Sequence, residues 1–284
     1  MRNSRLGPVA AVAMGLALAT AIGGPASASG AYTFAGVTDW DGDGNEDIVA
    51  RDPGGDLWLF PGSSARGVTS VPPVTIGTGW NGLTFAGLAD WDNDGHEDIV
   101  ARNVAGDLVL FPGTSTRGVS GEPPVTIGTG WAGYTFAGIA DWDKDGAQDV
   151  VARDLDGTLW MFPGQATRGV SSAAPVEIGT GWNGYDFAGI IDWDHDGNQD
   201  ILVRGTTGDL SLFPGQSVRG VSAEPPVQIG TGWNGYDFAG LADWDKDGNP
   251  DVVARKTNND LWLFPGESMR TVSGQSPVQI GTGW

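Results

Sequence analysis

Residues 39–47 read Asp39-Trp40-Asp41-Gly42-Asp43-Gly44-Asn45-Glu46-Asp47, and near-copies of this run begin at Asp90, Asp141, Asp192 and Asp243. Each copy starts 51 residues after the one before it. A fixed period of about this length is typical of repeat proteins, in which each repeat is one supersecondary unit. The run therefore indicates five repeats, at about residues 31–80, 81–131, 132–182, 183–233 and 234–284.

Each repeat contains four short segments with the composition of β-strands. In the third copy these are residues 134–140, 149–153, 158–162 and 176–178, separated by Gly, Pro, Asp and Asn, with no helical periodicity. Four strands in about 50 residues form one blade of a β-propeller, so the sequence predicts an all-β, five-bladed propeller. An open β-solenoid is the alternative. It would need distinct polar caps, whereas the last copy resembles the interior ones.

The N-terminus has the features of a secretory signal peptide at residues 1–28. Arg2 and Arg5 precede an apolar run of about residues 6–22, and Ala26-Ser27-Ala28 offers a small-residue cleavage site. A membrane anchor is the alternative, but the run is short for a bilayer span. We therefore expect a secreted, extracellular protein with a single propeller domain at residues 29–284 and no membrane insertion.

The composition narrows the range of partners. The formal net charge is −20, and the chain contains no cysteine. Nucleic acids and anionic lipids both require a basic surface, so neither is expected as a partner. Since no disulfide can form, stability must come from packing or from bound metal.

The acidic run has the spacing of a hard-cation site. Asp occupies positions one, three, five and nine in every copy, Trp occupies position two and Gly position six, and positions four, seven and eight vary. Odd positions of a tight loop turn inward, and position seven would offer its backbone carbonyl. All-oxygen ligation predicts about five Ca²⁺ ions, one per repeat; a metal-free carboxylate turn, the alternative, would suffer like-charge repulsion. The predicted ligands are Asp39, Asp41, Asp43, Asn45, Asp47, Asp90, Asp92, Asp94, His96, Asp98, Asp141, Asp143, Asp145, Ala147, Asp149, Asp192, Asp194, Asp196, Asn198, Asp200, Asp243, Asp245, Asp247, Asn249 and Asp251.

An EF-hand is excluded, because position twelve is Ala or Val rather than Glu. With its D-x-D-x-D-G-x-x-D loops between apolar strands, the chain instead resembles the FG-GAP/VCBS repeat family over residues 31–284. That resemblance implies an extracellular β-propeller whose loops link neighbouring strands of a blade and bind calcium structurally. Members often have seven blades, whereas five copies occur here. The composition and signal segment also resemble those of secreted actinobacterial proteins.

Two sets of tryptophans recur in register with the repeats. Those at position two of the runs, such as Trp40, are expected to pack between blades. The second set follows a Gly-Thr-Gly turn, and its rings could stack on a sugar face beside nearby tyrosines. Packing between blades is the alternative for this set too. The candidate ligand-binding residues are Trp80, Trp131, Trp182, Trp233, Trp284, Tyr134, Tyr185 and Tyr236.

Two sets of arginines also recur. The set that ends the second strand is expected to pair with the loop carboxylates, and the set in the third-to-fourth connection is expected to be exposed. The first comprises Arg51, Arg102, Arg153, Arg204 and Arg255; the second comprises Arg66, Arg117, Arg168, Arg219 and Arg270.

Catalysis has little support in the sequence. The two histidines, His96 and His195, stand at variable loop positions, and the other polar residues recur in every repeat, whereas an active site needs one unique constellation. We therefore predict a multivalent, lectin-like binding module for surface or cell-wall glycans, in which several weak sites act together. The alternative is a protein–protein interaction subunit or scaffold of an extracellular assembly.

Overall fold

The computed structural model is a five-bladed β-propeller. It describes residues 31–67, 71–117, 120–169, 171–216, 224–267, 270 and 274–284, so the predicted signal peptide lies outside the described residues. Among the residues it does describe, no helix is long and apolar enough to cross a membrane.

Each blade is one four-stranded antiparallel sheet whose strands follow in chain order. The strands are β1 Thr33–Thr38, β2 Asp47–Arg51, β3 Leu57–Phe60 and β4 Val74–Gly77; β5 Thr84–Ala89, β6 Asp98–Arg102, β7 Leu108–Phe111 and β8 Val125–Gly128; β9 Thr135–Ala140, β10 Asp149–Arg153, β11 Leu159–Phe162 and β12 Val176–Gly179; β13 Asp186–Ile191, β14 Asp200–Arg204, β15 Leu210–Phe213 and β16 Val227–Gly230; β17 Tyr236–Ala242, β18 Asp251–Lys256, β19 Asp260–Phe264 and β20 Val278–Thr282. The four strands predicted for the third copy are confirmed.

The first strand of every blade faces the central axis. β1, β5, β9, β13 and β17 contact one another around a channel lined by their Ala-Gly-aliphatic segments. The glycine in each segment allows close approach of the next blade: a Cβ at Gly138 would lie 3.2 Å from Ile190 Cγ1, and one at Gly240 would lie 3.0 Å from Val37 Cγ2. Because the last of these contacts joins blade five to blade one, the ring is closed.

Hydrophobic clusters between adjacent blades form the core. In the cluster between blades three and four, Trp142 and Trp182 pack with Ile201 and Phe213. The joint between blades five and one is built in the same way: the ring centroid of Trp284 lies 4.2 Å from that of Phe60 and 5.7 Å from that of Tyr32. The last repeat therefore has a neighbour like any other and needs no cap, so the closed ring is confirmed over the open solenoid.

The Gly-Thr-Gly-Trp turn is a packing motif. The indole of Trp182 lies over Gly179, where any Cβ would collide with the ring nitrogen, and Gly181 has a left-handed φ of 78°. The same Gly–Trp contact recurs at the end of every blade. Only glycine satisfies both requirements without strain.

Candidate metal centres

One acidic cluster lies in each blade, on the loop between its first two strands. In each loop, carboxylate oxygens from three aspartates lie within 4.8 Å of one another. The clusters are Asp39, Asp41 and Asp43; Asp90, Asp92 and Asp98; Asp141, Asp143 and Asp149; Asp192, Asp194 and Asp200; and Asp243, Asp245 and Asp251. The structure thus brings together members of each predicted ligand set, and the five triads could bind metal ions.

Hydrogen bonds from the loop's own backbone orient these carboxylates. In the third loop, Gly146 N–H donates to Asp141 Oδ2 at 3.1 Å, Asp145 N–H to Asp143 Oδ1 at 3.1 Å, and Ala147 N–H to Asp145 Oδ1 at 2.9 Å. Position four has a left-handed backbone, as at Lys144, where φ is 60°. The same bonds recur in the other four loops, so the loop conformation is a property of the motif.

The aspartate at position nine is fully buried and fixed by two backbone donors. Asp149 Oδ1 accepts from Gly164 N–H at 2.9 Å and Oδ2 from Trp142 N–H at 3.1 Å. Gly164 is required because a Cβ there would collide with the carbonyl oxygen of Gln148. Burial is the main cause that raises the pKa of Asp149 from 3.8 to about 6.

The aspartate at position one carries an unsatisfied oxygen. In Asp39, Asp141, Asp192 and Asp243, Oδ1 is buried and has no hydrogen-bond partner among the residues that the structure describes. An unpaired buried carboxylate oxygen is costly, and a cation bound among the three aspartates would remove that cost. The donor set is all oxygen, which suits a hard divalent cation. The residues present therefore fit the predicted metal.

The side chains at position seven of the loops differ in their contacts. Asn198 Nδ2 donates to Asp196 Oδ1 at 2.8 Å, His96 Nδ1 lies 2.7 Å from Ser115 Oγ, and Ala147 has no polar side chain. Asn45 and Asn249 bond to the position-five aspartates in the way Asn198 does. This variety agrees with a role for the backbone only, and ligation by the position-seven carbonyl stays a prediction.

The second arginine set makes the pairs with loop carboxylates that were predicted for the first. Arg168, in the third-to-fourth connection of blade three, pairs with Asp92 and with Asp94 Oδ2 at 2.9 Å, in the loop of blade two. Arg117, Arg270 and Arg66 make the equivalent pairs with the loops of blades one, four and five; Arg219 lies outside the described residues. Arg66, Arg117 and Arg168 are exposed, as predicted, but they also pair with loop carboxylates, because the connection folds back over the preceding blade's loop.

The set that ends the second strand pairs with backbone instead of loop carboxylates. Arg153 Nη1 donates to Trp182 O at 2.6 Å and to Tyr185 O at 2.8 Å, and its guanidinium lies over the ring of Phe187 at 5.4 Å. The second strand ends at the edge of the blade opposite to the acidic loop, so these arginines are out of reach of the loops.

Tryptophans at both recurring positions are buried. Those at position two, Trp40, Trp91, Trp142, Trp193 and Trp244, are 2–5% exposed, as predicted for packing between blades. Trp80, Trp131, Trp182, Trp233 and Trp284 are 1–8% exposed. The proposal that the second set offers open rings for sugar stacking is wrong for this conformation, because each indole packs on a phenylalanine of the next blade. Tyr134, Tyr185 and Tyr236 are half-buried beside them.

A cleft between blades three and four opens beside this packing. Its volume is about 280 Å³, and Trp182, Tyr185, Thr180, Glu224 and Pro226 are among its lining residues. Glu224 comes from the third-to-fourth connection of blade four and pairs with Arg270, which also holds the metal loop of that blade. Sequence reasoning missed Glu224, because this residue lies far along the chain from the residues it meets.

Comparison with known proteins identifies the repeat. A family model described as FG-GAP-like repeat matches residues 39–101, 90–152, 141–203 and 192–254. No curated protein matches the chain. One solved structure superposes on this chain with a TM-score of 0.56 at 16% sequence identity. It is a symmetrical protein whose de novo evolutionary emergence is described as shaped by folding constraints. The match covers 84% of this chain and 94% of that chain. BBS1N, solved in complex with ARL6DN and soaked with lead, gives a TM-score of 0.38 at 12% identity over 86% of this chain and 82% of that chain.

Proposed function

Since the chain belongs to the FG-GAP-like repeat family, we propose that it is a secreted, calcium-stabilised propeller that works by binding rather than by catalysis. The single observation that carries this proposal is the conjunction, on blade four, of an acidic loop and a residue that lines an interblade cleft, Glu224. Arg270 links the two, since it pairs with Asp194 of the loop and with Glu224 of the cleft.

Calcium would be held by the position-one, -three, -five and -nine aspartates of each loop. When bound, it supplies positive charge that offsets the repulsion among carboxylates and satisfies the buried Oδ1 of residues such as Asp141. The chain's own contribution is to fix those oxygens beforehand through backbone donors, so little order has to be gained on binding.

Calcium titration of the chelator-treated protein tests this part of the proposal. We expect about five ions per chain from the five triads, and removal should lower Tm by at least about 5 °C if calcium is 100-fold above its Kd. Asp141→Asn should remove one ion, whereas Asp156→Asn, an exposed aspartate outside the loops, should remove none. Unchanged stoichiometry in Asp141→Asn, or an unchanged Tm after chelation, would refute calcium binding at these loops.

The ligand that we propose is a glycan, bound at interblade clefts. The cleft at Trp182 and Tyr185 combines apolar walls with the Thr180 hydroxyl and the Glu224 carboxylate, as sites for sugars and other small polar ligands do. Tyr185 offers more accessible surface than Trp182, since Tyr185 is half-buried and Trp182 is 7% exposed. The sugar would therefore contact Tyr185 and the edge of Trp182 rather than lie flat on an open indole.

A glycan and bacterial-wall array, probed with calcium-loaded protein, tests this part. We expect saturable binding to one sugar class that is weakened in Tyr185→Ala and in Glu224→Gln. Trp160→Val is the matched control, because this half-exposed aromatic lies in the third strand of the same blade and outside the cleft. A blank array from folded, calcium-loaded protein would contradict glycan binding.

A protein partner is the second candidate, and one observation favours it. The residue equivalent to Glu224 is Glu122 at the Trp80 cleft, Ala173 at the Trp131 cleft, Gln275 at the Trp233 cleft and Val71 at the Trp284 cleft. Five equal sugar sites would not need such variety, whereas a single protein lying across one face of the ring would meet each cleft differently. Stoichiometric capture of one protein from culture medium, not displaced by sugars, would support this alternative.

A further inference from the structure

Three cavities adjoin one another across blades three, four and five. The first is the cleft of about 280 Å³ at Trp182 and Tyr185, beside the outer strand of blade three. Tyr185 also lines a second cavity, of about 310 Å³, whose walls include Arg204 and Tyr236. A third cavity, of about 300 Å³, shares Arg204, Tyr236 and Asp237 with the second. Because neighbouring cavities have these lining residues in common, the three follow one another in a row and form a groove.

The second cavity lies at the mouth of the central channel, at the end opposite to the acidic loops. Asp186 is the first residue of β13 and Asp237 is the second residue of β17, whereas the acidic loops follow the last residues of these strands. The side chains of the two aspartates are 67% and 65% exposed. Their carboxylates are therefore accessible to a ligand in the groove.

Each of these carboxylates is held by an arginine of the same blade. Asp186 Oδ2 accepts from Arg204 Nη2 at 2.7 Å, and Asp237 pairs with Arg255. Arg204 is also fixed to the next turn of the chain, since its Nη1 donates to Trp233 O at 3.0 Å. The groove thus presents paired acceptors and donors in fixed orientations, so little order has to be gained when a ligand binds.

Two tyrosines supply aromatic surface along the groove. Tyr185 lines the first and second cavities, and Tyr236 lines the second and third. Both are half-buried, and their rings lie 5.9 Å from Trp182 and 5.6 Å from Trp233, respectively. Aromatic rings with an apolar body beside a few placed hydrogen-bonding groups suit a ligand that is itself a ring bearing hydroxyls, such as a sugar.

The residues that distinguish the groove occur on one side of the ring only. Blades one to three have Thr33, Thr84 and Thr135 at the positions that Asp186 and Asp237 occupy in blades four and five. Blade two also has Leu83 where the other blades have tyrosine. The groove is therefore a single site in each chain, unlike the Gly-Thr-Gly-Trp turns, which recur in every blade.

Building on the proposed glycan binding, we propose that this groove binds one oligosaccharide chain, which runs from the cleft at Trp182 past Tyr185 to the carboxylates of Asp186 and Asp237. Each cavity alone is at or near the lower end of the range for small-molecule sites, so one cavity suits a single sugar unit and the row suits a chain of several. The chain is uncharged, because the two carboxylates at the channel mouth are already paired with guanidinium groups.

Titration calorimetry of calcium-loaded protein with linear oligomers of glucose and, separately, of N-acetylglucosamine tests this proposal. Each series begins with the monosaccharide and increases in length. We expect one chain per protein, and an affinity that rises at least about tenfold from the monosaccharide to the longest chain as further cavities are filled.

The variants use residues that the chain already has in other blades. Asp186→Thr combined with Asp237→Thr, and separately Tyr236→Leu, alter the groove while leaving Trp182 and Tyr185 in place. We expect each to weaken binding of the longest chain about three- to tenfold. Asp156→Thr is the matched control, because this exposed aspartate lies in the turn between β10 and β11 and outside the lining of the three cavities; it should bind like the unmodified protein.

Affinity that does not depend on chain length, several chains per protein, or unchanged affinity in the double variant would overturn the groove while leaving glycan binding at the clefts intact. Absence of saturable binding by every oligomer would also overturn it, and the glycan array then shows whether glycan binding fails as well. If Tyr236→Leu melts earlier than the unmodified protein, the double variant carries the comparison, since both of its substitutions are at exposed positions.

Discussion

Replacing Trp284 with alanine should destabilise the protein as much as the same change at an interior repeat. Trp284 is 1% exposed and contacts Tyr32, Phe34 and Phe60 of blade one. Loss of a buried tryptophan costs about 3–5 kcal/mol of unfolding free energy, since both transfer free energy and a cavity are involved. In a closed ring the last repeat packs against blade one as an interior repeat packs against the next blade. The loss of unfolding free energy at Trp284 should therefore match that at Trp182, which is 7% exposed.

Guanidinium chloride denaturation in calcium-containing buffer, followed by tryptophan fluorescence and by circular dichroism, measures both free energies. Trp262→Val is the control, because the equivalent residue of blade two is Val109 and Trp262 is only half-buried; its cost should be clearly smaller. If Trp284→Ala cost less than about 1 kcal/mol while Trp182→Ala cost 3–5 kcal/mol, the joint between blades five and one would not be formed as described.

Three further predictions follow from the joints and the loops. Gly138→Val should cost about 1–3 kcal/mol, because the new side chain meets Ile190. Gly169→Val, where no atom of the described residues lies within 4 Å, should be nearly neutral in thermal melting, and equal costs for the two would remove the packing argument. Arg168→Met should lower the unfolding free energy by about 1 kcal/mol more in the absence of calcium than in its presence, because the Arg168 guanidinium and the calcium ion neutralise the same carboxylates. An identical loss with and without calcium would show that Arg168 and calcium act independently. Burial raises the pKa of Asp149 from 3.8 to about 6, so the folded calcium-free protein binds the Asp149 proton more tightly than the unfolded chain does. The free energy of unfolding should therefore fall as pH rises from about 4 through 6. Denaturation at fixed pH values measures this change, and a rise in the free energy of unfolding over the same window would contradict the prediction.

The blade could be predicted from the sequence because its determinants are local. Alternation of apolar residues and turn residues gave the four strands of the third copy to within one residue, for instance 158–162 against Leu159–Phe162. The acidic loop was equally predictable, since its carboxylate spacing and its glycine lie within nine residues. The hydrogen bonds that Asp141 and Asp145 accept from the backbone both come from within the loop itself.

The joints between blades could not be predicted in the same way. Arg117 pairs with Asp41, 76 residues earlier, and nothing in the spacing within a repeat states which neighbour a side chain meets. The tryptophan of the Gly-Thr-Gly-Trp turn was open to two interpretations for the same reason. A turn motif exposes its ring unless another blade covers it, and Phe213 of the next blade covers Trp182 at a centroid distance of 4.5 Å.

The order of strands within each sheet has a consequence for how the chain folds. Within the described part of the chain every sheet is built from four consecutive strands, so β-strands pair with near neighbours in sequence. Such pairings close short loops and form early, whereas contacts between the two ends of the chain must overcome a larger loop-closure entropy. We therefore expect fast formation of individual sheets and a slower final step in which Trp284 docks against Tyr32 and Phe60, so the lifetime of the assembled ring would be governed by the opening of that one seam.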